Sequence, residues 1–177
     1  MAGSNSAKIG TFYSTCLDSA AAEAAGAQPS QPLMTAIDGM KDKSELAKQT
    51  AWLHAHGVRG ALCGFGGAPD RKNSDMTIAN AGQGGIGLPD RDYYFRTDSA
   101  SNAIRAEYLA HVGRMFQLAG RSEADGKAAA DRIYAIERAL AQASMTNVQR
   151  RDPDATYHKL PLDSLRGMAP SFEWTTY

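Results

Sequence analysis

The 177-residue sequence predicts a mainly α fold, a helical domain in which a long antiparallel helix pair accompanies a small β-hairpin. Two long segments in the C-terminal half repeat apolar residues with the period of a helix, and a glycine-rich stretch over residues 57–87 precedes them. Apolar residues make up 43% and charged residues 21% of the chain, which is typical of a soluble globular protein. A chain of this length builds one hydrophobic core, so we expect residues 1–177 to be one domain or part of one.

Three helices are expected before the glycine-rich stretch. The first is alanine-rich and spans residues 14–25, with Gly26 in the position of a C-terminal cap. Pro32 suits the first turn of a second helix, because the N–H that proline lacks has no helical partner there. Ser44 is the expected N-cap of a third helix, which Gly57 ends.

The glycine-rich stretch contains two short apolar runs, at residues 61–65 and 76–79. Between them, residues 69–75 are polar and rich in side chains that favour turns. Two short strands joined by a polar turn form a β-hairpin, which is therefore the structure predicted for this stretch.

The helix pair is the strongest periodic signal in the chain. Gly120 and Ser122 separate its two helices, and Ser122 is the expected N-cap of the second. A short turn between two long helices makes them antiparallel neighbours. The tail then carries a short helix over residues 162–168 and ends on aromatic residues. The repeating apolar positions are Ile104, Tyr108, His111 or Val112, Met115 and Ala119 in the first helix, and Ala129, Ile133, Ile136, Leu140 and Ala143 in the second.

The balance of charge and the hydropathy pattern exclude two classes of partner. Lysine plus arginine and aspartate plus glutamate number 19 each, so no net field attracts nucleic acid or anionic lipid. No apolar run approaches the roughly 20 residues that a membrane-spanning helix needs. The first residues also lack the build of a secretion signal, although such a signal can be removed or can precede a fragment.

Two patterns suggest chemistry without supporting it. Residues 82–87 match G-x-G-x-x-G, yet Leu88 and Pro89 follow where a dinucleotide site needs a helix, so a flexible or close-packed loop is favoured. His54 and His56 are two residues apart and point to nearly opposite sides of a helix, so they do not share a metal ion. We therefore assign no catalytic and no metal-binding residue to this chain.

Two motifs of charged and aromatic residues are interpreted as structural corners. In the first, Arg91 is expected to be largely buried and to hydrogen-bond carboxylates or carbonyls, while the tyrosines pack. The second is expected to hold an arginine–aspartate pair beside a proline. The motif residues are Leu88, Pro89, Arg91, Asp92, Tyr93 and Tyr94 in the first corner, and Arg151, Asp152 and Pro153 in the second.

Cys16 and Cys63 are too few for a disulfide scaffold or for a tetrahedral metal site within the chain. They can pair with each other, pair with cysteines elsewhere, or remain free or buried as small hydrophobic residues. The residues alone leave these alternatives open.

Three segments, in the same order along the chain, resemble the neprilysin family of zinc metallopeptidases, peptidase family M13. Residues 8–18, KIGTFYSTCLD, resemble the K-x-x-x-x-Y-x-S-C-x-D/N segment of that family. Residues 85–94, GIGLPDRDYY, resemble its G-L-G-L-P-x-R-D-Y-Y signature, and residues 150–157 resemble its R-x-D-P-x-x-x-Y segment. The likeness covers nearly the whole chain, and the middle signature is specific.

The resemblance implies that residues 1–177 belong to the smaller helical domain, which closes over the catalytic domain and restricts an enclosed cavity to peptides of limited size. It also implies zinc in the parent protein, on H-E-x-x-H and E-x-x-x-D ligands C-terminal to Tyr177, along with an N-A-x-Y substrate segment. None of these motifs occurs in this chain. The family cysteine that matches Cys16 typically pairs with a distant half-cystine, whereas Cys63 stands where the family has an apolar residue.

The leading hypothesis is therefore a part of a zinc endopeptidase or oligopeptidase that is inactive by itself and binds no zinc. Its partners would be the catalytic domain and, in the parent, peptide substrates. The resemblance further implies an exported protein, either periplasmic, secreted or an ectodomain at the cell surface. The alternative is a free-standing helical binding or scaffold module without peptidase activity, and an H-E-x-x-H after Tyr177 distinguishes the two.

Overall fold

The computed structural model describes residues 3–177, which divide into a short N-terminal unit that ends at Gly39 and a larger C-terminal unit, residues 40–177. The mainly α fold with one β-hairpin is confirmed. Within residues 3–177, none of the helices has the length and apolar character needed to cross a membrane.

The N-terminal unit consists of helices α1 (Asn5–Leu17), α2 (Ser19–Ala25) and α3 (Gln31–Asp38). The single helix predicted over residues 14–25 is therefore wrong in its start and in its continuity. Ser4 caps α1, and the carboxylate of Asp18 accepts a hydrogen bond from the Ala21 amide at 2.9 Å. This second cap starts a new helix, which is why the chain breaks at Asp18.

Helix α4 (Leu46–Ala55) opens the C-terminal unit after a 3₁₀ turn, Lys43–Glu45. Asp42 caps that turn by accepting from the amide of Ser44 at 2.8 Å, so the prediction of Ser44 as N-cap is wrong. Both the amide and the hydroxyl of Ser44 donate to the Asp42 carboxylate, so Ser44 lies inside the capped turn and does not itself cap a helix. Gly57, with a φ of 88°, follows the helix as predicted.

The hairpin pairs β1 (Cys63–Asp70) with β2 (Asn73–Gln83) as a two-stranded antiparallel sheet. Both strands are longer than predicted, because the glycines of β1 and most of the polar linker also join the ladder. The remaining turn is short, and the Lys72 amide donates to Asp70 across it at 3.0 Å.

Helices α5 (Ser99–Leu118) and α6 (Glu123–Ala143) form the predicted antiparallel pair. Ser122 caps α6 as predicted, by accepting from the Asp125 amide at 3.1 Å. The two helices approach most closely at Gly113 and Gly126, where a Cβ built on Gly126 would lie 2.7 Å from the Gly113 carbonyl oxygen. Glycine at this crossing therefore sets the short distance between the two helix axes.

This close approach also decides which helix faces are buried. Ala129 and Ala130 of α6 are buried with Gly126, so small residues line the α5–α6 interface. Met115 and Ile136, two of the repeating apolar positions, are 50% and 62% exposed. Large side chains do not fit between helices that contact each other through glycine and alanine. The large apolar residues Met115 and Ile136 accordingly lie outside this contact.

The tail contains a 3₁₀ turn, Gln149–Arg151, and α7 (Leu162–Met168), which has the predicted bounds. Its aromatic end packs within the C-terminal unit. The Tyr177 ring meets the Phe65 ring edge-on with centroids 5.0 Å apart, and its hydroxyl lies 2.6 Å from Nδ1 of His54. The tail thus covers part of β1.

Candidate functional site

The first predicted corner lies where the hairpin leads into the helix pair. It is a 3₁₀ turn, Arg91–Tyr94, which Asp90 caps by accepting from the Asp92 amide at 2.8 Å. The other Asp90 oxygen accepts from the Asn147 side chain at 3.0 Å, which joins the corner to the loop after α6. The turn therefore connects three parts of the C-terminal unit.

An apolar cluster anchors this corner. Leu88 and Tyr94 are buried, and Ala141 of α6 is completely buried between them and the helix pair. The rings of Tyr94 and Tyr134 stack with centroids 5.6 Å apart, an offset arrangement that adds to the area they bury. The partly buried residues packed around the cluster are Ile86, Tyr93, Phe95, Tyr108 and Tyr134.

A single buried carboxylate, Glu137 of α6, lies at the centre of the cluster and is 9% exposed. The Tyr94 hydroxyl donates to its Oε2 at 2.8 Å, and the Tyr108 hydroxyl donates to the same carboxylate at 2.8–2.9 Å. The Leu88 amide in turn donates to the Tyr94 oxygen at 3.1 Å. Within residues 3–177 no lysine or arginine pairs with Glu137, so hydroxyl donors alone satisfy its charge.

The two tyrosines remain donors at neutral pH. Burial, together with the hydrogen bond to Glu137, raises the pKa of Tyr94 to about 12. The same two causes raise the pKa of Tyr108. A hydroxyl that keeps its proton remains a hydrogen-bond donor to the carboxylate, and the Tyr94 oxygen accepts from the Leu88 amide, so the network connects Glu137 to the backbone before the turn.

The glycines of the loop before the corner are packing positions. Gly87 abuts the Tyr108 ring, where an added Cβ would lie 2.8 Å from Cζ. Gly85 has a φ of 73°, and its Cβ would lie 2.8 Å from the Leu62 carbonyl oxygen. Of the predicted loop over residues 82–87, the structure places residues 82 and 83 in β2, whereas the glycines from Gly84 to Gly87 form a close-packed loop.

Arg91 lies at the edge of the cluster with its side chain 20% exposed. Its Nε donates to the Ala141 carbonyl at 3.1 Å, and one Nη lies 3.4 Å from the Asp92 carboxylate. The guanidinium also lies over the Phe95 ring, 5.4 Å from its centroid. The structure thus joins Arg91 to a carbonyl and a carboxylate, as expected, although some solvent reaches it.

Tyr93 and Pro89 complete the first corner. The carbonyl of Tyr93 accepts from Arg105 of α5 at 2.7 Å, and Arg96 lies over its ring at 5.6 Å. Pro89 lines a small cleft of about 180 Å³ beside the capping residue Asp90. All six residues predicted for the first corner therefore lie together.

The second predicted corner, at Arg151, Asp152 and Pro153, lies apart from the first and is exposed. The Asp152 carboxylate accepts from the amides of Asp154 and Ala155 at 2.9 and 3.0 Å. In the part of the chain that the structure describes, no arginine forms an ion pair with Asp152, so the predicted pair is wrong. Adjacent backbone amides satisfy the carboxylate at a lower entropic cost than a long side chain.

A second polar cluster, centred on Asp70, was not found by sequence reasoning. Asp70 ends β1 and is only 2% exposed. Lys159 donates to one of its oxygens at 2.7 Å, and Tyr157 and the Lys72 amide donate to the other at 2.8 and 3.0 Å. The hydrogen bond from Lys159, then those from Lys72 and Tyr157, lower the pKa of Asp70 to about 2.

The role of Glu137 was also missed, for an identifiable reason. Its neighbours along α6, Ile136 and Arg138, give no sign that position 137 is buried. The apolar period includes Tyr108 and gives no sign that its hydroxyl binds a carboxylate. Predicting the contact between Glu137 and the tyrosines requires knowing how α5 packs against α6, and the sequence alone does not give that packing.

The histidines and cysteines are placed as follows. His54 is held by Tyr177 and by the Ala61 carbonyl, 3.0 Å from its Nε2, and the Trp52 carbonyl lies 2.7 Å from Nδ1 of His56. Between residues 3 and 177 no group of three or more histidine, cysteine, aspartate or glutamate side chains is arranged to hold a metal. Cys16 is an exposed free thiol, and burial raises the pKa of the partly buried Cys63 thiol.

Comparison with known proteins relates this geometry to others. The family model described as Peptidase family M13 matches residues 1–177. Neprilysin-3 of Drosophila melanogaster is 27% identical over 179 residues, and endothelin-converting enzyme 1 of Cavia porcellus is 26% identical over 177 residues. Both matches cover 96% of this chain but 23% of the relative.

Solved structures agree with the sequence relatives. The crystal structure of the Mycobacterium tuberculosis zinc metalloprotease Zmp1 in complex with inhibitor matches with a TM-score of 0.89 and 36% identity. The match covers 98% of this chain and 26% of that one. The cryo-EM structure of Zmp1 in an open state matches with a TM-score of 0.85 and 37% identity, over 95% and 26% of the two chains. The chain thus spans about a quarter of the length of the proteins it matches.

Proposed function

The chain belongs to peptidase family M13, and on this premise we propose that it is one part of a zinc-dependent endopeptidase or oligopeptidase. One observation carries the proposal. The backbone matches a zinc metalloprotease over 98% of this chain at a TM-score of 0.89, and the match is only 26% of that enzyme. The larger remainder of the parent would then carry out catalysis, and residues 1–177 would have a structural role.

Within such an enzyme, we assign residues 1–177 to the smaller helical domain that limits access to an enclosed peptide-binding cavity. Two features support this role. Buried hydrogen bonds to Glu137 join the Arg91–Tyr94 turn, α5 and α6, and a gate that moves as a unit needs such internal connections. The carboxylates of Glu137 and Asp70 also have hydrogen-bond partners within the chain. Such engaged carboxylates suit the wall of a cavity better than a catalytic site.

The remainder of the polypeptide is the partner that this role requires. Phe12 of α1 is 73% exposed, and Ile9 and Leu17 on the same helix are similarly exposed. In the C-terminal unit, Met115 and Leu118 of α5 are also exposed. Soluble proteins rarely leave large contiguous apolar surface bare, so these faces favour a chain that is covered by other segments.

Zinc would be held outside this chain. In residues 3–177, no metal-ligand cluster is present, and hydrogen bonds already engage His54 and His56. We assign the resident zinc and the hydrolysis of peptides to the remainder of the parent, and we propose that the parent is exported.

The test uses the full-length parent protein. We expect about one zinc per chain and chelator-sensitive cleavage of short peptides, with little cleavage of large folded proteins. The 177-residue chain serves as the control and should neither hold zinc nor cleave the peptides. A parent without zinc or peptidase activity, or a fragment with either, would contradict the proposal. Fractionation of cells that produce the parent tests its export.

A further inference from the structure

The outer edge of β2 is a long, unpaired strand edge. Within the described residues the sheet has two strands, so β2 (Asn73–Gln83) pairs with β1 on one side only. Ten of its 11 residues are exposed. A two-stranded hairpin is marginally stable in water, and a bare edge presents a row of unpaired N–H and C=O groups that another strand can join.

A preformed slot borders β2. A cleft of about 430 Å³ lies between residues 78–81 of β2 and residues 156–160 of the tail, and Pro69 of β1 and Arg71 of the turn also line it. Because only alternate residues line a sheet face, the four consecutive residues of β2 bring backbone groups as well as side chains to the cleft. Ile78, Leu160 and Leu165 give it apolar walls.

The Asp70 cluster joins the tail wall of this slot to the hairpin. Lys159 and Tyr157 bond to the buried Asp70 carboxylate, and Arg71 donates to the Thr156 carbonyl at 2.8 Å. These bonds fix the tail segment at the hairpin turn. The tail therefore forms the far wall of the slot without pairing with β2.

The register indicates which groups of β2 face the slot. Pro69 lies opposite Thr77 and has no N–H to donate across the ladder. Proline in a sheet sits with its nitrogen directed away from the partner strand, which makes this a non-hydrogen-bonded pair. Counting in alternation from Thr77, the backbone groups of Ala79 and Ala81 also point outward.

We propose that an extended segment of the same polypeptide, from outside residues 1–177, occupies the slot and pairs with β2 as a third strand. The inference rests on the proposed function, because it requires a longer parent chain. About three quarters of the matched zinc metalloprotease lies outside the region that this chain covers, so the parent has ample chain to supply a strand. A third strand from the same polypeptide would also protect the β2 edge from aggregation, which exposed strand edges promote.

Hydrogen exchange on the full-length parent tests this pairing. The outward amides of Thr77, Ala79 and Ala81 should exchange at least about 100-fold more slowly than in an unstructured reference peptide. Rates within about tenfold of the reference would overturn the proposal. Protection that appears only after a substrate peptide is added would also overturn it, in favour of peptide binding at this edge.

A substitution identifies the partner segment. Ala79→Pro removes an outward donor, whereas the matched Ala79→Gly variant keeps it. Ala79→Pro should abolish protection at Ala81 and in one segment outside residues 1–177, and Ala79→Gly should preserve both. If Ala79→Pro does not fold, the exchange of the unsubstituted parent decides the question. Peptidase activity is measured separately: an inactive parent with protected amides refutes the proposed function alone, and an active parent with fast amides refutes the third strand alone.

Discussion

Removal of one hydroxyl tests whether the buried network at Glu137 stabilises the fold. Tyr108→Phe deletes a donor that lies 2.8 and 2.9 Å from the two Glu137 oxygens and leaves the carboxylate with the Tyr94 hydroxyl. Hydrogen bonds to charged groups contribute about 1.5–3 kcal/mol to the free energy of unfolding. Water does not readily replace the lost donor, because the carboxylate is buried. We therefore expect the free energy of unfolding to fall by about 2 kcal/mol, or the melting temperature by about 4–8 °C.

Urea unfolding followed by circular dichroism measures this loss. Tyr134→Phe is the matched control, because the Tyr134 ring stacks on Tyr94 while its hydroxyl makes no hydrogen bond within residues 3–177. It should change the free energy of unfolding by less than about 0.5 kcal/mol. Combining Tyr108→Phe with Glu137→Gln should cost less than the sum of the two single changes, since each breaks the same bond. A Tyr108→Phe variant as stable as Tyr134→Phe would refute the reasoning.

Three further changes test other parts of the structure. Gly87→Ala places a methyl group 2.8 Å from Cζ of Tyr108 and should destabilise the chain by about 1–3 kcal/mol in urea unfolding; an unchanged midpoint would contradict this. Arg91→Ala removes bonds to Ala141 and Asp92 from a side chain that is 20% exposed, so it should cost about 1.5–3 kcal/mol, less than a fully buried network would. The pKa of Asp70 is lowered from 3.8 to about 2, so its stabilising effect is complete above about pH 4 and is lost as the pH falls toward 2. The melting temperature of Asp70→Asn should accordingly lie below wild type at pH 6 and converge with it by pH 2, and a constant difference would exclude this linkage.

Several features could be predicted because neighbouring residues decide them. Ser122 caps α6 through an amide three residues away, and Pro161 precedes α7, whose bounds over residues 162–168 were predicted correctly. The first corner was also predicted as a bonded turn, since Asp90, Arg91 and Asp92 supply most of its polar groups. Such contacts span a few residues, so the local sequence determines them.

Competition between local groups was harder to predict. Asp42 and Ser44 are both good capping residues, and only the backbone geometry shows that Asp42 receives the Ser44 amide. Asp18 likewise interrupts what the alanine-rich composition presents as one helix. Alternative caps differ by about 1 kcal/mol or less, which is too small for sequence patterns to rank.

By itself, then, the sequence determined the helices, the hairpin and the family resemblance, because these depend on periodicity and on short motifs. Only the tertiary structure decided what those elements bury. In the packed α5–α6 pair, Ile136 is exposed while its neighbour Glu137 is buried and bonded to two tyrosines. Asp70 meets Lys159, 89 residues away, only because the tail folds back on the hairpin. Burial of a charge is favourable only when distant donors converge on it, and that convergence is a property of the packed chain and not of any segment in it.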